Sequence, residues 1–444
     1  MKSKFMLWLL TCVLCAGLLA GCGNNNNESN SGAGGTAGEN AKVDIYQFKV
    51  EIAKELENAA ALYMKNHPNV KINIQTVGGG DDYGASLRAK MQSGEEPTIF
   101  NIGGPQDTQD WMQKLEDLSD QPWVSQAVDT VLDSVTADGK IYGLPYAIEG
   151  YGFIYNTEIF KAADIDPSTI HNYDTLLTAV RTLDEKIKSG ALKSQFPQLE
   201  AVFEFPGKET WVSMHTVNVP LSQEFTSATD AFEKKTVSFQ NADAFKALID
   251  IQADYSSNAD SKGKLNAVDY ATQVGQGIAI ERVAMIQQGN WIYGDIENVD
   301  AETAAKMSLL PMPLVGEEAL KMPVGVPMYW CVNKDSNDAD KKAAKEFLTW
   351  LYTSEEGKET IVNKFYFIPP LKGYTQEPSD PLSRVVKTYA DDNKTRPWVF
   401  MGFPTSWGMD SVGVQVQRYL SGEATFTEAV EKAKADWEAA RASE

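Results

Sequence analysis

Between residues 43 and 118 short apolar runs alternate with amphipathic stretches, and this alternation constrains the fold more than any other feature of the chain. Residues 43–48, 70–77 and 98–102 read as strands, with Val70, Ile72 and Ile74 sharing one side of the second. Residues 51–66 read as a helix with Ile52, Leu56, Ala59, Ala60 and Tyr63 on one face; 83–92 and 108–118 read as further helices. Such alternation predicts βαβ units around a parallel sheet. Ligands of such sheets sit beyond the carboxyl ends of the strands, on the loops that open the helices. Two loops fall there: Gly78-Gly79-Gly80-Asp81-Asp82-Tyr83-Gly84 and Gly103-Gly104-Pro105-Gln106. The first lacks G-x-G-x-x-G spacing and no Gly-Lys-Ser/Thr follows it, so it is not expected to cradle phosphate. A tight turn accounts for its glycines; Asp82 and Tyr83 lie where a ligand would.

Farther along the pattern is mixed. Residues 141–156 read as two extended pieces broken at Glu149-Gly150, 160–192 as mostly helical, 201–205 as a strand and 244–254 as helical. Residues 283–287 read as a short strand, 341–352 as an amphipathic helix and 427–441 as a final helix. The body beyond residue 42 is about 400 residues long, enough for two domains.

At the N-terminus Lys2 and Lys4 precede an apolar stretch over 5–19, which runs into Leu19-Ala20-Gly21-Cys22. A positive start, a short apolar core and small residues at the cut read as a secretory signal. The stretch falls short of the about 20 apolar residues that a membrane-crossing helix needs. Residues 23–41, GNNNNESNSGAGGTAGENA, hold no aromatic or large aliphatic side chain. They cannot offset their ordering entropy by burial, so a flexible tether is expected. Cys12 and Cys15 leave with the leader, so Cys331 stands alone in the body and no disulfide can form there. His67, His171 and His215 are far apart in sequence and give no metal-ligand spacing. Each is expected at the surface or at a helix cap, and neither a metal nor a cofactor is expected. A formal charge of −21 argues against nucleic acid, whose binding rests on basic contacts to phosphate.

Leu19-Ala20-Gly21-Cys22 resembles a bacterial lipobox, which implies that Cys22 becomes the lipidated first residue. The pieces NHPNVKI, GGGDDYG with its helix, PTIFNIG, KIYGLPYAIEGYGFIYNTEIF, AMIQQGNWIYGDI and YWCVNKDSNDADKKAAKEFLTWLYTSEEG follow in that order. Together with the lipobox and tether they resemble the extracellular solute-binding proteins of family 1, the maltose-binding-protein-like group, over essentially the whole mature chain. The resemblance implies an α/β, two-lobed periplasmic-binding-protein-like fold, each lobe a mostly parallel sheet flanked by helices, with a hinge between. It divides the chain into a leader (1–21), a tether (22–41), lobe one (42–148 and 306–375) and lobe two (149–305 and 376–444). It implies a binding protein rather than an enzyme: a monomer, anchored by lipid to the extracytoplasmic face of the bacterial cell membrane. Its ligand would be a carbohydrate, a di- or oligosaccharide, delivered to the permease subunits of an ABC importer.

A sugar ring has apolar C–H faces and a polar rim, so aromatic planes cover the faces while amides and carboxylates meet the hydroxyls. Trp111 with Leu115 and Leu118, Trp350 beside Phe347 and Leu351, and Trp437 after Val430 and Ala433 have helical spacing and are expected to pack. Trp211, Trp291 and Trp407 sit where periodicity breaks, in segments that line the cleft in the resembled family. Trp330, in an apolar run after Pro327-Met328-Tyr329, joins them as a candidate; Trp123 and Trp398, each beside a proline, are open. For the polar rim Asp82, Gln106 and Glu149 are favoured. Tyr83 lies beside the first, Tyr151 falls at the first crossing between lobes, and Lys208, Glu209 and Asp410 are further candidates. A secreted glycoside hydrolase would need two carboxylates flanking a bond, and among 61 acidic residues pairs are unavoidable. Neither G-x-S-x-G nor H-E-x-x-H occurs, and Cys331 between Trp330 and Val332 is poorly placed for a nucleophile. A surface sensor or adhesin on the same fold stays open.

Overall fold

The computed structural model describes residues 40–78 and 82–443. The expected leader, the Cys22 anchor and the tether as far as residue 39 lie outside the described residues. In chain order the strands are β1 (Ala41–Gln47), β2 (Val70–Thr76), β3 (Ile99–Ile102), β4 (Leu144–Pro145), β5 (Glu149–Asn156) and β6 (Ala201–Phe203). They continue with β7 (Val283–Gly289), β8 (Met307–Leu310), β9 (Met322–Gly325), β10 (Tyr329–Val332) and β11 (Thr395–Pro397). A small hairpin, Thr136–Ala137 with Lys140–Ile141, stands apart from both sheets.

The first sheet runs β2-β1-β3-β10-β4 and the second β11-β9-β5-β7-β6, with β8 also paired to β5. The expected two-lobed α/β fold is what the chain adopts. Both sheets are mixed, however, rather than mostly parallel. β1 runs parallel to β2 and β3, because helices carry the chain back between them. β5 arrives directly from the first lobe with no crossover helix to turn it, and runs against β7, β8 and β9. β10 returns as directly and runs against β3 and β4. The division of lobes also moves. Residues from 306 were expected in lobe one, yet β8 and β9 hydrogen-bond to β5 and lie in the second sheet. Three segments therefore join the lobes: one between β4 and β5, one between β9 and β10, and a third over residues 364–380. Ile148 of the first and Ile368 of the third pair as an isolated bridge.

Helices cover both faces of each sheet. Val43, Ile45, Ile99 and Trp330 pack against Leu56, Tyr63, Phe347 and Leu351 in the first lobe; Phe153, Phe203 and Met285 pack against Leu176, Val180, Val217 and Leu248 in the second. Each such side chain contributes about 1.5–3 kcal/mol by leaving water. Local signals agree with the long helices: Asn337 caps Asp338–Thr353 by accepting from the Asp340 amide at 3.0 Å, and Asn172 with Thr175 makes a capping box for Tyr173–Lys188. The helix expected over 108–118 instead spans Pro105–Trp111 with a short turn after it. Leu115 leaves it to bridge Asn333, so Leu115 and Leu118 fill different faces of the sheet.

Candidate functional site

β7 ends on Gly289 and β9 on Gly325, and an indole lies against each glycine. A Cβ on Gly289 would stand 2.1 Å from the Trp291 ring, and one on Gly325 2.6 Å from that of Trp398; only glycine allows that approach. The helix Thr210–Leu221 brings Trp211 and His215 to the same side of the sheet, four residues apart and so on one helical face. Ring centroids are 6.5 Å apart for Trp211 and Trp291, 6.4 Å for Trp291 and Trp398, and 5.7 Å for His215 and Trp291. Tyr151 of β5 stacks on His215 at 4.7 Å and donates its hydroxyl proton to the His215 carbonyl at 2.8 Å. Trp211, His215 and Trp291 are partly exposed, whereas Tyr151 and Trp398 are buried. The result is an aromatic shelf at one end of the second sheet.

Polar groups rim this shelf. Trp211 Nε1 donates to Glu209 Oε2 at 3.2 Å, and Glu209 Oε1 accepts the Tyr270 amide at 3.0 Å. Trp291 Nε1 donates to Gln288 Oε1 at 3.0 Å, and Gln288 Nε2 donates to Gln273 Oε1 at 2.8 Å. The Tyr270 hydroxyl donates to Asp295 Oδ2 at 2.6 Å. Burial raises the Asp295 pKa above the usual carboxylate range, with Glu51 of the first lobe adding to the effect. Burial likewise raises the Tyr270 hydroxyl, helped by Glu51 and Asp295. These influences show that the shelf borders the junction of the lobes. Burial among the rings pushes His215 down to about 3, so its imidazole is neutral at ordinary pH.

Across the junction, Lys49 Nζ stands 2.6 Å from Glu149 Oε1, both side chains only 3% exposed. The Lys49 ammonium lies over the Phe48 and Phe367 rings, 5.6 Å from each centroid. Nearby, the Tyr146 hydroxyl donates to Asn101 Oδ1 at 3.0 Å. The lobes also touch directly. Arg441 of the helix Phe426–Ser443 donates to Gln106 Oε1 at 2.6 Å and to the Gly402 carbonyl, and Thr405 Oγ1 donates to Asp110 Oδ2 at 2.7 Å.

Of the residues the sequence nominated, Glu149, Tyr151, Trp211 and Trp291 are brought together, with Glu209 beside them. The others are placed elsewhere. Asp82 is exposed and caps the helix Tyr83–Gln92, accepting from the Ala85 amide at 2.9 Å. Tyr83 is buried, and its hydroxyl donates to the Tyr46 carbonyl and accepts from the Asn101 amide. Both ends of the Gln106 amide are engaged, by Asp110 and by Arg441. Trp330 is core: its ring stacks on Tyr146 at 3.9 Å and its Nε1 donates to the Tyr352 hydroxyl. Trp407 packs against Trp437 and Phe403 and donates to the Ala433 carbonyl at 2.8 Å. Asp410 is exposed on the same wide turn, Trp407–Gly413. Lys208 pairs at the surface with Asp269.

Sequence reasoning missed His215, expected at a surface or cap, and left Trp398 open. A signal existed for the first: Trp211 and His215 stand at i and i+4 within a helix. Lys49, Tyr270 and Asp295 had none, because the groups that surround them come from distant parts of the chain. Among the described residues no helix is long and apolar enough to cross a membrane. Flat rings with donors and acceptors at their margin suit a neutral molecule that has an apolar face and a hydroxylated edge.

Similarity to known proteins follows the same lines. The xylose/arabinose-binding protein XacG of Haloferax volcanii is 24% identical over 242 residues, 52% of this chain, and the match spans only about half (49%) of that relative's length. An uncharacterized ABC transporter extracellular-binding protein of Pyrococcus horikoshii is 21% identical over 335 residues, 73% of this chain and 70% of the relative. A solved chitin oligosaccharide binding protein superposes with a TM-score of 0.74 at 22% identity, over 91% of this chain and 100% of that one, and so shares the fold. Residues 58–391, which include most of both sheets and the aromatic shelf as far as β9, match the profile described as bacterial extracellular solute-binding protein, and the chain belongs to that family.

Proposed function

We propose that the protein binds a carbohydrate, a di- or oligosaccharide, between its lobes and delivers it to an ABC importer. The observation that carries this reading is the shelf of Trp211, His215 and Trp291, rimmed by Glu209, Gln288 and Asp295 and facing the Lys49–Glu149 pair. Aromatic planes at a partly exposed site are what the apolar face of a sugar ring requires. The relatives named for xylose/arabinose and for chitin oligosaccharide, and the relative named as an ABC transporter component, support it. Glu149, Tyr151, Trp211 and Trp291 are the residues assigned to the site. The expected experiment is a thermal-shift screen of mono- and oligosaccharides, since a ligand of the folded state raises the melting temperature by mass action. At least one saccharide should do so, and Trp291→Ala should weaken its binding by about 2 kcal/mol, roughly thirtyfold. A full screen without a hit, or undiminished binding by the variant, would count against the assignment.

The finer reading is that the protein works as a monomer anchored through a lipidated Cys22 at the extracytoplasmic face of the cell membrane. Its support is the lipobox-like Leu19-Ala20-Gly21-Cys22 and the polar segment after it. Cys22→Ser should release folded protein into the medium, and equal membrane retention of variant and parent would remove the anchor.

A further inference from the structure

His215 is the one imidazole among the rings of the shelf, and its surroundings are unusual for a histidine. Tyr151 covers one face at 4.7 Å and 16°, Phe400 stands at 4.9 Å, and Trp211 and Trp291 present edges at 5.3 and 5.7 Å. None of the hydrogen bonds of the described residues involves its ring nitrogens, although the ring is partly exposed. Nearby, 5.9 Å between centroids, Trp398 holds a buried indole N–H that has no acceptor. A buried donor left unpaired costs stability with nothing gained inside the chain. Trp211 and Trp291, by contrast, both have acceptors for their N–H groups. The shelf thus carries two unused sets of polar groups side by side.

We infer that His215, assisted by the Trp398 N–H, is the specificity-determining polar contact of the shelf and reads hydroxyls of an uncharged saccharide. This rests on the carbohydrate reading above and narrows it. A neutral imidazole offers one donor and one acceptor, which matches a hydroxyl that itself both donates and accepts. A carboxylate only accepts, so it would leave one imidazole nitrogen facing another acceptor. Protonation, which would repair that mismatch, is opposed by the desolvated position of the ring. Glu209 and Asp295 at the rim add repulsion toward an anion. Uronic-acid oligosaccharides should therefore be rejected in favour of neutral ones of the same length.

The test uses the full mature chain with chitotetraose, xylotetraose, maltotetraose and raffinose as neutral probes and a galacturonate trimer as the acidic one. Binding is measured by calorimetry on wild type, His215→Phe and Trp398→Phe. His215→Phe keeps an aromatic ring against Tyr151 and removes both nitrogens. It should bind the best neutral probe about tenfold more weakly, one hydrogen bond's worth, with an unliganded melting temperature no lower than wild type. Trp398→Phe removes the unpaired N–H together with one ring of a buried indole, so it should likewise lose affinity, with some loss of unliganded stability from the space left behind. The imidazole nitrogen resonances of His215 in wild type should move on addition of that probe, which decides the matter even if a variant misfolds. Binding by both variants within twofold of wild type, unmoved resonances, or tight binding of the galacturonate trimer would overturn the inference while leaving the carbohydrate reading intact. Failure of wild type to bind any neutral probe would instead overturn both.

Discussion

Lys49 and Glu149 form the most deeply buried ion pair among the described residues, each side chain 3% exposed. Burial works against the Lys49 ammonium, but the carboxylates of Glu149 and Glu51 outweigh it and hold its pKa above the ordinary lysine value. Such a pair contributes little over a matched apolar one, yet removing one partner strands a charge and costs about 3–5 kcal/mol. Lys49→Met should therefore lose roughly that much in chemical denaturation, and Lys49→Met with Glu149→Leu should recover most of it. The single variant should also regain stability on acidification. Burial already raises the Glu149 pKa above its ordinary 4.5, and loss of Lys49 raises it further. The folded state then takes up a proton more readily than the unfolded one, so stability is lowest well above the raised pKa and rises as pH falls through it. A double variant as unstable as the single would mean that Lys49 acts through packing on Phe48 and Phe367 rather than through charge.

At the scale of elements, what was legible in the sequence was whatever repeats locally. The strand β2 and the helices Tyr83–Gln92 and Asp338–Thr353 appear within a few residues of where periodicity puts them, because one buried face imposes its spacing on the chain. Misreadings arose where burial has no period. β10 is buried on both sides at all four positions, so alternation could not mark Trp330 as core. Trp407 opens a wide π-type turn, which shifts later side chains out of the 3.6-residue rhythm and made a packed tryptophan look like a loop residue. The partners of β8 and β9 were not readable either, since strand pairing across more than 150 residues leaves no local trace. Within the site, Trp211 and Trp291 stood out because they interrupt a pattern; His215 and Trp398 did not, because their environment is assembled from four separate segments.

At the scale of the whole molecule, the lobes meet through three crossings and through side chains on the surfaces that face each other. Gln106 with Arg441 and Asp110 with Thr405 hold the lobes together without any ligand contact. A ligand that touches both lobes should shift the population further toward the compact form. Small-angle scattering should show a smaller radius of gyration with a saturating saccharide than without. Gln106→Ala removes the first-lobe acceptor of Arg441, so its unliganded radius should exceed that of wild type, with the two converging when the saccharide is bound. Equal radii in all four samples, with binding verified, would rule out a hinge. The number of crossings has one more consequence. Three is odd, so the first described strand, β1, lies in one lobe and the last described helix, Phe426–Ser443, in the other. With an even number both would ride on the same body and whatever held one would hold its neighbour. Here they sit on opposite arms of a lever, and a hold on the first leaves the second arm free to swing.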